Sequence, residues 1–374
     1  MKYLRCLRMK TLLPDDKYEL KLKGAYLELT EKCNFHCQYC YNSSEIQKAE
    51  ILDEKTVKTV LDEISKTDFP GVVFSGGEPF LHPSVYELID YSIKCGVKPT
   101  VITNASLLDS ETLKELLDKP LTLQLTFDGA KAETHGITRG RENYHHIINI
   151  LKLAKERDRT DKLNIRFNIS RFNYTEVENM IKILSSYGIN KAIFAFLHRS
   201  GRGFDYDGAL DRKDDCELIY KIITEYRKLK EKYQNAFEFD FGELDKAFGC
   251  AYFASGALDF IPRIAPNGDV FPCQIFMGKE NSLGNIYDFE KAPLLQIASS
   301  ARCHDVIDKI RSRKDSIRPK CLKCPLGEYC LGGCPATAFN LNGDISLNGE
   351  QCYFLKYSFK QNIKSEHGLD VKNV

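Results

Sequence analysis

Cys33-Asn34-Phe35-His36-Cys37-Gln38-Tyr39-Cys40 is the stretch around which this chain is organised, because it places three cysteines in CxxxCxxC spacing directly after a strand-like run, Ala25 to Thr30. Three thiolates in one turn can hold three corners of a cube-shaped iron-sulfur cluster and leave the fourth iron without a protein ligand. Structural zinc is the alternative, but zinc takes four ligands and no fourth cysteine lies nearby. The spacing therefore favours a cluster with one open iron.

The composition indicates a globular protein without a polyanionic partner. The chain has 374 residues, 43% of them hydrophobic, enough for one large domain with an appendage or for two ordinary domains. Its 53 basic and 52 acidic residues give a net charge of +1, which supports neither nucleic acid nor a membrane as a partner. No apolar run approaches the roughly 20 residues that span a bilayer, and the first ten residues do not form a signal peptide. We therefore expect a cytoplasmic location.

The 14 cysteines are best interpreted as metal ligands, because the cytoplasm keeps thiols reduced. Ten of them fall into two groups with ligand-like spacing. The scattered ones are expected to be buried or incidental thiols, and they are Cys6, Cys95, Cys216 and Cys303.

An alternation of short strand-like runs and amphipathic helical stretches follows the cysteine loop. Six predicted strands occupy residues 25–29, 71–74, 98–103, 121–127, 163–169 and 192–197. Their short connections imply a parallel sheet, open or curled into a barrel, with its functional residues beyond the carboxyl ends of the strands. Five segments directly follow predicted strands and should meet at one rim: the cysteine loop, Ser75-Gly76-Gly77-Glu78-Pro79, Thr103-Asn104, Asp128-Gly129 and His198-Arg199.

The alternation of strands and helices stops after residue 197, and a long predicted helix follows. Beyond that helix, the sequence consists of short segments separated by Gly and Pro and is rich in cysteine. We therefore predict four parts: an N-terminal extension (1–24), a strand-helix core (25–235), a cysteine-rich domain (236–364) and a tail (365–374).

The segment Ser75 to Pro79 has the composition of a small-ligand site. Paired glycines allow the backbone to approach a ligand closely, Glu78 offers a carboxylate, and carbonyls at the strand edge can accept from an ammonium group. An ordinary tight turn has the same composition, so the proximity of the cysteine loop is what makes the segment specific.

These two segments together resemble the radical S-adenosylmethionine (SAM) superfamily. The resemblance implies a partial (β/α)6 barrel of the TIM type, a 4Fe-4S cluster whose open iron is chelated by SAM, and reductive cleavage of SAM to a 5'-deoxyadenosyl radical that takes hydrogen from a substrate. It implies Cys33, Cys37 and Cys40 as cluster ligands and an electron donor of the flavodoxin or ferredoxin type. SAM contacts are implied for Tyr39, Ser75, Gly76, Gly77, Glu78, Pro79, Thr103, Asn104, Thr126, Asp128 and Arg139, although the polar residues among them also suit caps and turns.

The C-terminal cysteines resemble the SPASM extension, which in the family holds two auxiliary 4Fe-4S clusters. The pattern is Gly268-Asp269-Val270-Phe271-Pro272-Cys273, then Cys321-x2-Cys324-x5-Cys330-x3-Cys334, then Cys352. The resemblance implies a distal cluster on Cys321, Cys324, Cys330 and Cys352, and a proximal one on Cys250, Cys273 and Cys334. The proximal set lacks a fourth cysteine, so its cluster has an open iron or a non-cysteine ligand. A zinc site on Cys321, Cys324, Cys330 and Cys334 is the alternative.

Enzymes with both features act mainly on peptides or proteins, and the stretch from Phe271 to Ile286 is closest to the maturases of ribosomal peptides, which form thioethers and other cross-links. Anaerobic sulfatase maturases, which make formylglycine, have an acidic residue after the position of Cys273, whereas Gln274 cannot accept a proton. A small-molecule SPASM enzyme and, in a different class, an iron-sulfur electron carrier remain alternatives.

The segment before the first predicted strand is too short for the winged-helix domain that binds leader peptides in many maturases. Substrate recognition is therefore expected in the SPASM surface, in a separate leader-recognition protein, or in a substrate without a leader. The catalytic base, the substrate and the bond formed are not identified by the sequence.

Overall fold

The computed structural model describes residues 18–68, 70–197, 199–210, 213–240, 250, 252, 256–321, 323–324, 326, 332–349 and 351–367. Cys6, His198 and Cys330, which the sequence analysis singled out, lie outside these residues, as do residues 368–374 of the predicted tail. No helix within the described ranges combines the length and the apolar composition that a membrane crossing requires.

Strands and helices alternate through the first two thirds of the chain. The elements are β1 Tyr18–Leu22, β2 Gly24–Thr30, α1 Glu54–Ile64, β3 Gly71–Gly76, α2 Val85–Lys94, β4 Lys98–Thr103, α3 Ser110–Asp118, β5 Thr122–Thr126, α4 Ala132–Arg139, α5 Arg141–Glu156, β6 Leu163–Ile169, α6 Val177–Ser186, β7 Lys191–Phe196, α7 Cys216–Tyr233 and β8 Glu238–Asp240. The six predicted strands correspond to β2 through β7, so the predicted alternation is confirmed.

Four short strands and four α-helices follow among the described residues of the C-terminal third. They are β9 Gly256–Phe260, β10 Arg263–Ile264, β11 Asp269–Phe271, β12 Gly284–Asn285, α8 Pro293–Ala298, α9 Ala301–Cys321, α10 Pro335–Asn342 and α11 Gln351–His367.

Ten strands form one sheet in the order β12-β11-β10-β2-β3-β4-β5-β6-β7-β8. Every pair from β10 to β8 is parallel, whereas the pairs β10-β11 and β11-β12 are antiparallel. The second neighbour of β2 is β10, a strand of the C-terminal third, so among the described strands β2 does not pair with β8 and the sheet stays open. The core is thus a partial (β/α)6 barrel, as expected.

The side chains of a strand alternate between the two faces of the sheet, and on β2 and β3 one of these faces carries polar residues. On β2, Leu27 and Leu29 are buried towards the helices with the apolar residues of α1. Tyr26 and Glu28 point the other way, and in the parallel register Glu28 lies opposite Ser75 of β3. The Tyr26 hydroxyl donates to Ser75 Oγ at 2.8 Å. The polar side chains of β2 and β3 therefore face the interior of the barrel.

The C-terminal third is attached to the start of the barrel by strand pairing and by a helix cap. The strand β9 pairs in parallel with β1, which lies in the segment expected to be an extension, and β10 pairs in parallel with β2. Glu63 at the end of α1 accepts from the backbone N–H groups of Leu294 and Leu295 at 3.0 and 2.5 Å, which satisfies free donors in the first turn of α8.

Replacing Phe167 by alanine should destabilise the fold, because its side chain is buried completely on β6 and its removal leaves a cavity. We expect a loss of about 3–5 kcal/mol in the free energy of unfolding, measured with urea. Phe172, five residues further on, is 46% exposed, so F172A is the matched control and should cost far less. Equal losses in both variants would contradict this assignment of the core.

Candidate functional site

The loop with the three cysteines begins where β2 ends and brings its thiols together. Cys37 is buried, and Cys33 and Cys40 are half-buried. Burial is the main cause that raises the pKa of Cys33 to about 11, and the thiolates of Cys37 and Cys40 add to it. In the described part of the chain, no three His, Cys, Asp or Glu side chains are arranged to hold a single metal ion.

The paired glycines after β3 support the start of this loop. A Cβ atom on Gly77 would lie 2.1 Å from the carbonyl oxygen of Lys32, and one on Gly76, whose φ is +127°, would lie 2.4 Å from that of Thr30. The N–H of Gly77 donates to the Thr30 carbonyl at 2.7 Å, and the N–H of Glu78 donates to the Lys32 carbonyl at 2.8 Å. The close approach that requires glycine here is between two backbone segments, whereas the sequence suggested an approach to a ligand.

Glu78 is completely buried and joins the ends of β3 and β4. Its carboxylate accepts from Thr103 Oγ1 at 2.7 Å, from the N–H of Asn104 at 2.8 Å and from the N–H of Phe80 at 3.2 Å. Burial raises its pKa to about 6, although these donors favour the charged form. Asn104 in turn donates to Asn34 Oδ1 at 2.9 Å. The Glu78 carboxylate therefore holds Thr103 and Asn104 at the rim beside the cysteine loop.

Tyr39, Asp128 and Arg139 meet in one buried network on the other side of the loop. The Tyr39 hydroxyl donates to the Asp128 carboxylate. Arg139 Nε donates to the Tyr39 hydroxyl at 2.9 Å and to Asp128 Oδ2 at 3.1 Å. Burial raises the pKa of Tyr39 well above its usual value, so its hydroxyl stays protonated and remains a donor. Three residues far apart in sequence thus form one polar unit.

Asn168 completes this network and was not among the predicted site residues. Its backbone N–H and its Nδ2 donate to Asp128 Oδ1 at 2.9 and 3.1 Å. It lies inside β6, so the strand-end criterion, which selects residues that follow a strand, did not include it. Thr126 is buried two residues before Asp128, in register with Arg166 of β6. Pro79 begins a short 3-10 helix, Pro79–Leu81.

The segment after β7 holds the cysteine loop from a third side, through residues that the sequence analysis did not select. Arg202 donates from its backbone N–H to the Cys40 carbonyl and from Nε to the Cys37 carbonyl, both at 3.0 Å, and from both terminal nitrogens to the Ser44 carbonyl at 3.1 Å. A Cβ on Gly201 would lie 2.2 Å from the Tyr41 carbonyl oxygen. Arg199, which was selected, donates to the Phe204 carbonyl at 3.2 Å.

A cleft of about 450 Å³ opens beside the loop, lined in part by His36, Ile137, Phe172, Tyr206 and Asp207. Ile137 and Phe172 are large apolar side chains that remain exposed here. Exposed apolar groups rimmed by polar ones are typical of surfaces that bind a partner or a ligand.

The described C-terminal cysteines form two sets. Burial is the main cause that raises the pKa of Cys250, and the thiolates of Cys334 and Cys273 add to it. Burial also raises the pKa of Cys352, to which Cys324 and Cys321 add. Cys334 and Cys273 thus lie close enough to Cys250, and Cys321 and Cys324 close enough to Cys352, to influence the pKa of each thiol. Which of these thiols share a metal site stays a prediction, and Cys330 lies outside the described residues.

Arg313 of α9 lies between these sets and was not predicted. Its buried guanidinium donates to the Gly333 carbonyl at 2.9 Å, to the Gly332 carbonyl at 3.0 Å and to the Leu347 carbonyl at 2.8 Å. It also donates to the Ile345 carbonyl. Its charge acts to lower the pKa of both Cys250 and Cys352, which opposes the effect of burial. Arg313 therefore fixes the turn before Cys334 and places a positive charge near both thiol sets.

Two family models match the chain, the Radical SAM superfamily over residues 27–195 and SPASM, an iron-sulfur cluster-binding domain, over residues 261–325. The antilisterial bacteriocin subtilosin biosynthesis protein AlbA of Bacillus subtilis is 26% identical over 325 residues, covering 85% of this chain and 68% of that protein. The AdoMet-dependent heme synthase of Methanosarcina barkeri is 25% identical over 348 residues, covering 87% and 95%.

The fold is also similar to that of a solved structure, Streptococcus suis SuiB bound to its precursor peptide SuiA. The TM-score is 0.68 at 18% identity, and the match covers 93% of this chain and 78% of SuiB. At this identity the similarity establishes the fold alone.

Replacing Gly77 by alanine should displace the cysteine loop, because the new methyl group meets the Lys32 carbonyl. We expect the variant to bind less iron than the natural protein after anaerobic reconstitution. Gly71, at the start of the same strand, has room for a methyl group with its nearest neighbour at 3.9 Å, so G71A is the control. Equal iron contents in both variants, with folding verified by circular dichroism, would contradict this role of Gly77.

Replacing Asp128 by asparagine should destabilise the protein, because it leaves the Arg139 guanidinium buried without its carboxylate. The expected loss is about 3–5 kcal/mol in the free energy of unfolding. The control D118N breaks an exposed pair with Arg157, at 2.7 Å, and should cost about 0–1 kcal/mol. A D128N variant as stable as D118N would show that the network contributes no more than a surface pair.

Proposed function

We propose that this chain, which carries Radical SAM and SPASM domains, is a radical SAM enzyme that modifies a peptide substrate by forming a thioether or another cross-link in a ribosomally made peptide. The observation that favours a peptide is the open cleft beside the cysteine loop, where exposed Ile137 and Phe172 offer apolar contacts to an extended chain. The bacteriocin biosynthesis protein among the relatives and the peptide-bound SuiB structure are consistent with this class.

In this proposal the residues of the rim divide the work of holding cofactor and substrate. Cys33, Cys37 and Cys40 hold a 4Fe-4S cluster. The edge Ser75 to Pro79, kept in place by the Gly77 and Glu78 contacts, lies against the methionyl part of SAM. The polar side chains at the strand ends contact the remaining part of SAM. They are Tyr39, Thr103, Asn104, Thr126, Asp128 and Arg139.

Bound SAM supplies radical chemistry that removes a hydrogen atom from the substrate, whereas the protein supplies position and excludes water. The Tyr39-Asp128-Arg139 network suits this role because its members fix one another. Asp128 accepts hydrogen bonds from Tyr39, Arg139 and Asn168, so its carboxylate is held in one position and the Tyr39 hydroxyl keeps its proton.

The C-terminal thiols hold the auxiliary clusters in this proposal. Cys250, Cys273 and Cys334 form the proximal site, which is one cysteine short of a full set. The distal site consists of Cys321, Cys324, Cys330 and Cys352. A flavodoxin or ferredoxin provides electrons, and a separate protein recognises the leader of the peptide where one is present.

A second candidate, a small-molecule substrate such as a porphyrin, is favoured by the heme synthase from Methanosarcina barkeri, which matches the present chain over most of both lengths. Formylglycine formation is disfavoured because the exposed Gln274 follows Cys273 and cannot accept a proton. Co-production with any short peptide encoded next to the gene, and separately with a porphyrin substrate, distinguishes the two candidates. A peptide that loses hydrogen atoms, detected by mass spectrometry, supports the maturase, whereas conversion of a porphyrin alone refutes it.

Replacing Cys33, Cys37 and Cys40 together by alanine should abolish the reductive cleavage of SAM to 5'-deoxyadenosine, measured by chromatography with dithionite as reductant. Replacing Cys321 and Cys324 should leave cleavage largely intact, because those thiols belong to the other group. The control C95A removes a half-buried thiol outside both groups and should change neither cleavage nor iron content. Cleavage that persists in the triple variant, or a natural protein that holds only zinc, would refute the proposal.

A further inference from the structure

A buried ion pair joins the first barrel strand to the C-terminal domain. Arg263 Nη1 of β10 donates to Glu28 Oε2 of β2 at 3.0 Å, and the two residues are only 4% and 2% exposed. Neither residue belongs to the cysteine sets or to the proposed SAM contacts. Because both charges are removed from water, loss of either one leaves the other buried without compensation, so the pair is restricted to a narrow geometry.

The carboxylate of this pair also holds the exit of the cysteine loop. Glu28 Oε1 accepts from the Tyr41 hydroxyl at 2.9 Å and from Asn42 Nδ2 at 2.8 Å. These two residues directly follow Cys40. The Tyr41 hydroxyl lies 3.2 Å from that of Tyr26, which donates to Ser75. One oxygen of Glu28 therefore holds the side chains of the two residues after Cys40, while its other oxygen accepts from Arg263.

The guanidinium of the pair holds the turn that carries Cys273. Arg263 Nη2 donates to the carbonyl of Phe276, three residues after Cys273, at 2.9 Å. The guanidinium carbon lies 4.3 Å from the centroid of the Phe271 ring, two residues before Cys273. Arg263 thus contacts the turn on both sides of its cysteine, one side by a hydrogen bond and the other by a cation-π contact.

We propose that Glu28 and Arg263 are a positioning pair that fixes the loop after Cys40 relative to the turn around Cys273, and thereby sets the separation between the two iron-sulfur sites. The chain of contacts from Cys40 to Cys273 passes through Tyr41, Glu28 and Arg263, all of them on well-packed strands or beside them. Electron exchange between two metal centres weakens with their separation, so a fixed distance serves an enzyme that uses both. The presence of the two clusters rests on the proposed function, whereas the contacts of the Glu28–Arg263 pair are observed in the chain itself.

Hydrogen-deuterium exchange on the cluster-free chain tests, without reference to activity, whether the Glu28–Arg263 pair holds both segments in place. In R263M, which removes the charge and both hydrogen-bond arms, amide exchange should become faster in residues 41–46 and also in residues 274–278. E28Q keeps an oxygen for Tyr41 and Asn42 but loses the charge that faces Arg263. In this variant, amide exchange should therefore accelerate more in residues 274–278 than in residues 41–46. K114Q, which breaks an exposed pair with Glu111, should change neither segment. Exchange unchanged in both segments, or changed in only one of them in R263M, would overturn the proposal.

Pulsed electron paramagnetic resonance on the reconstituted protein tests the consequence for the clusters. In the natural protein, the distance between the reduced cluster at Cys33, Cys37 and Cys40 and the reduced proximal cluster at Cys273 should have a narrow distribution. In E28Q the distribution of that same distance should be broader or displaced at the same iron content. R263K retains the charge and should lie closer to the natural protein than R263M. Identical distributions in all four proteins would overturn the proposal. A natural protein that holds no iron or does not cleave SAM would refute the proposed function instead, and the exchange experiment would still decide about the pair.

Discussion

The satisfaction of backbone groups in the Cys33–Cys40 loop is the constraint on which the site depends. A loop that gathers three thiols at the end of a strand has no regular hydrogen-bond ladder, and buried carbonyls without partners are costly. Other segments therefore supply the partners. Arg202 donates to the carbonyls of Cys37, Cys40 and Ser44, and the backbone after β3 donates to those of Thr30 and Lys32. The rim of the barrel and the cysteine loop define each other's shape.

Buried charges in this protein connect elements that are distant in sequence. Asp128 and Arg139 join the ends of β5 and α4 to Tyr39, and Glu28 and Arg263 join the barrel to the C-terminal third. Such pairs contribute little net stability compared with apolar packing, but they accept only one geometry because a displaced charge would stay uncompensated. The free energy needed to bury these charges is consistent with a requirement that the polar side chains on this face of the sheet keep fixed positions.

The fold was largely predictable because it is written in local patterns. Short apolar runs and amphipathic stretches located β2 to β7 within a few residues, and the order of strand and helix implied a parallel sheet. The strand-end criterion placed Tyr39 and Asp128 at one rim, the family resemblance added Arg139, and the structure joins the three. Neither selected Asn168, which lies inside β6, or Arg202, Arg263 and Arg313, because none of these residues stands directly after a predicted strand.

The sequence by itself determined the chemistry that the protein can carry: the number and spacing of the thiols, the glycine pair, and the alternation that builds a barrel. These are local properties of composition and spacing. Only the tertiary structure decided that Gly76 and Gly77 pack against backbone, that the Glu78 carboxylate is occupied by neighbouring strand ends, that Cys334 lies with Cys250 and Cys273, and that Glu28 meets Arg263. Each of these depends on contacts between residues far apart in the chain, and such contacts exist only after the sheet has brought the segments together.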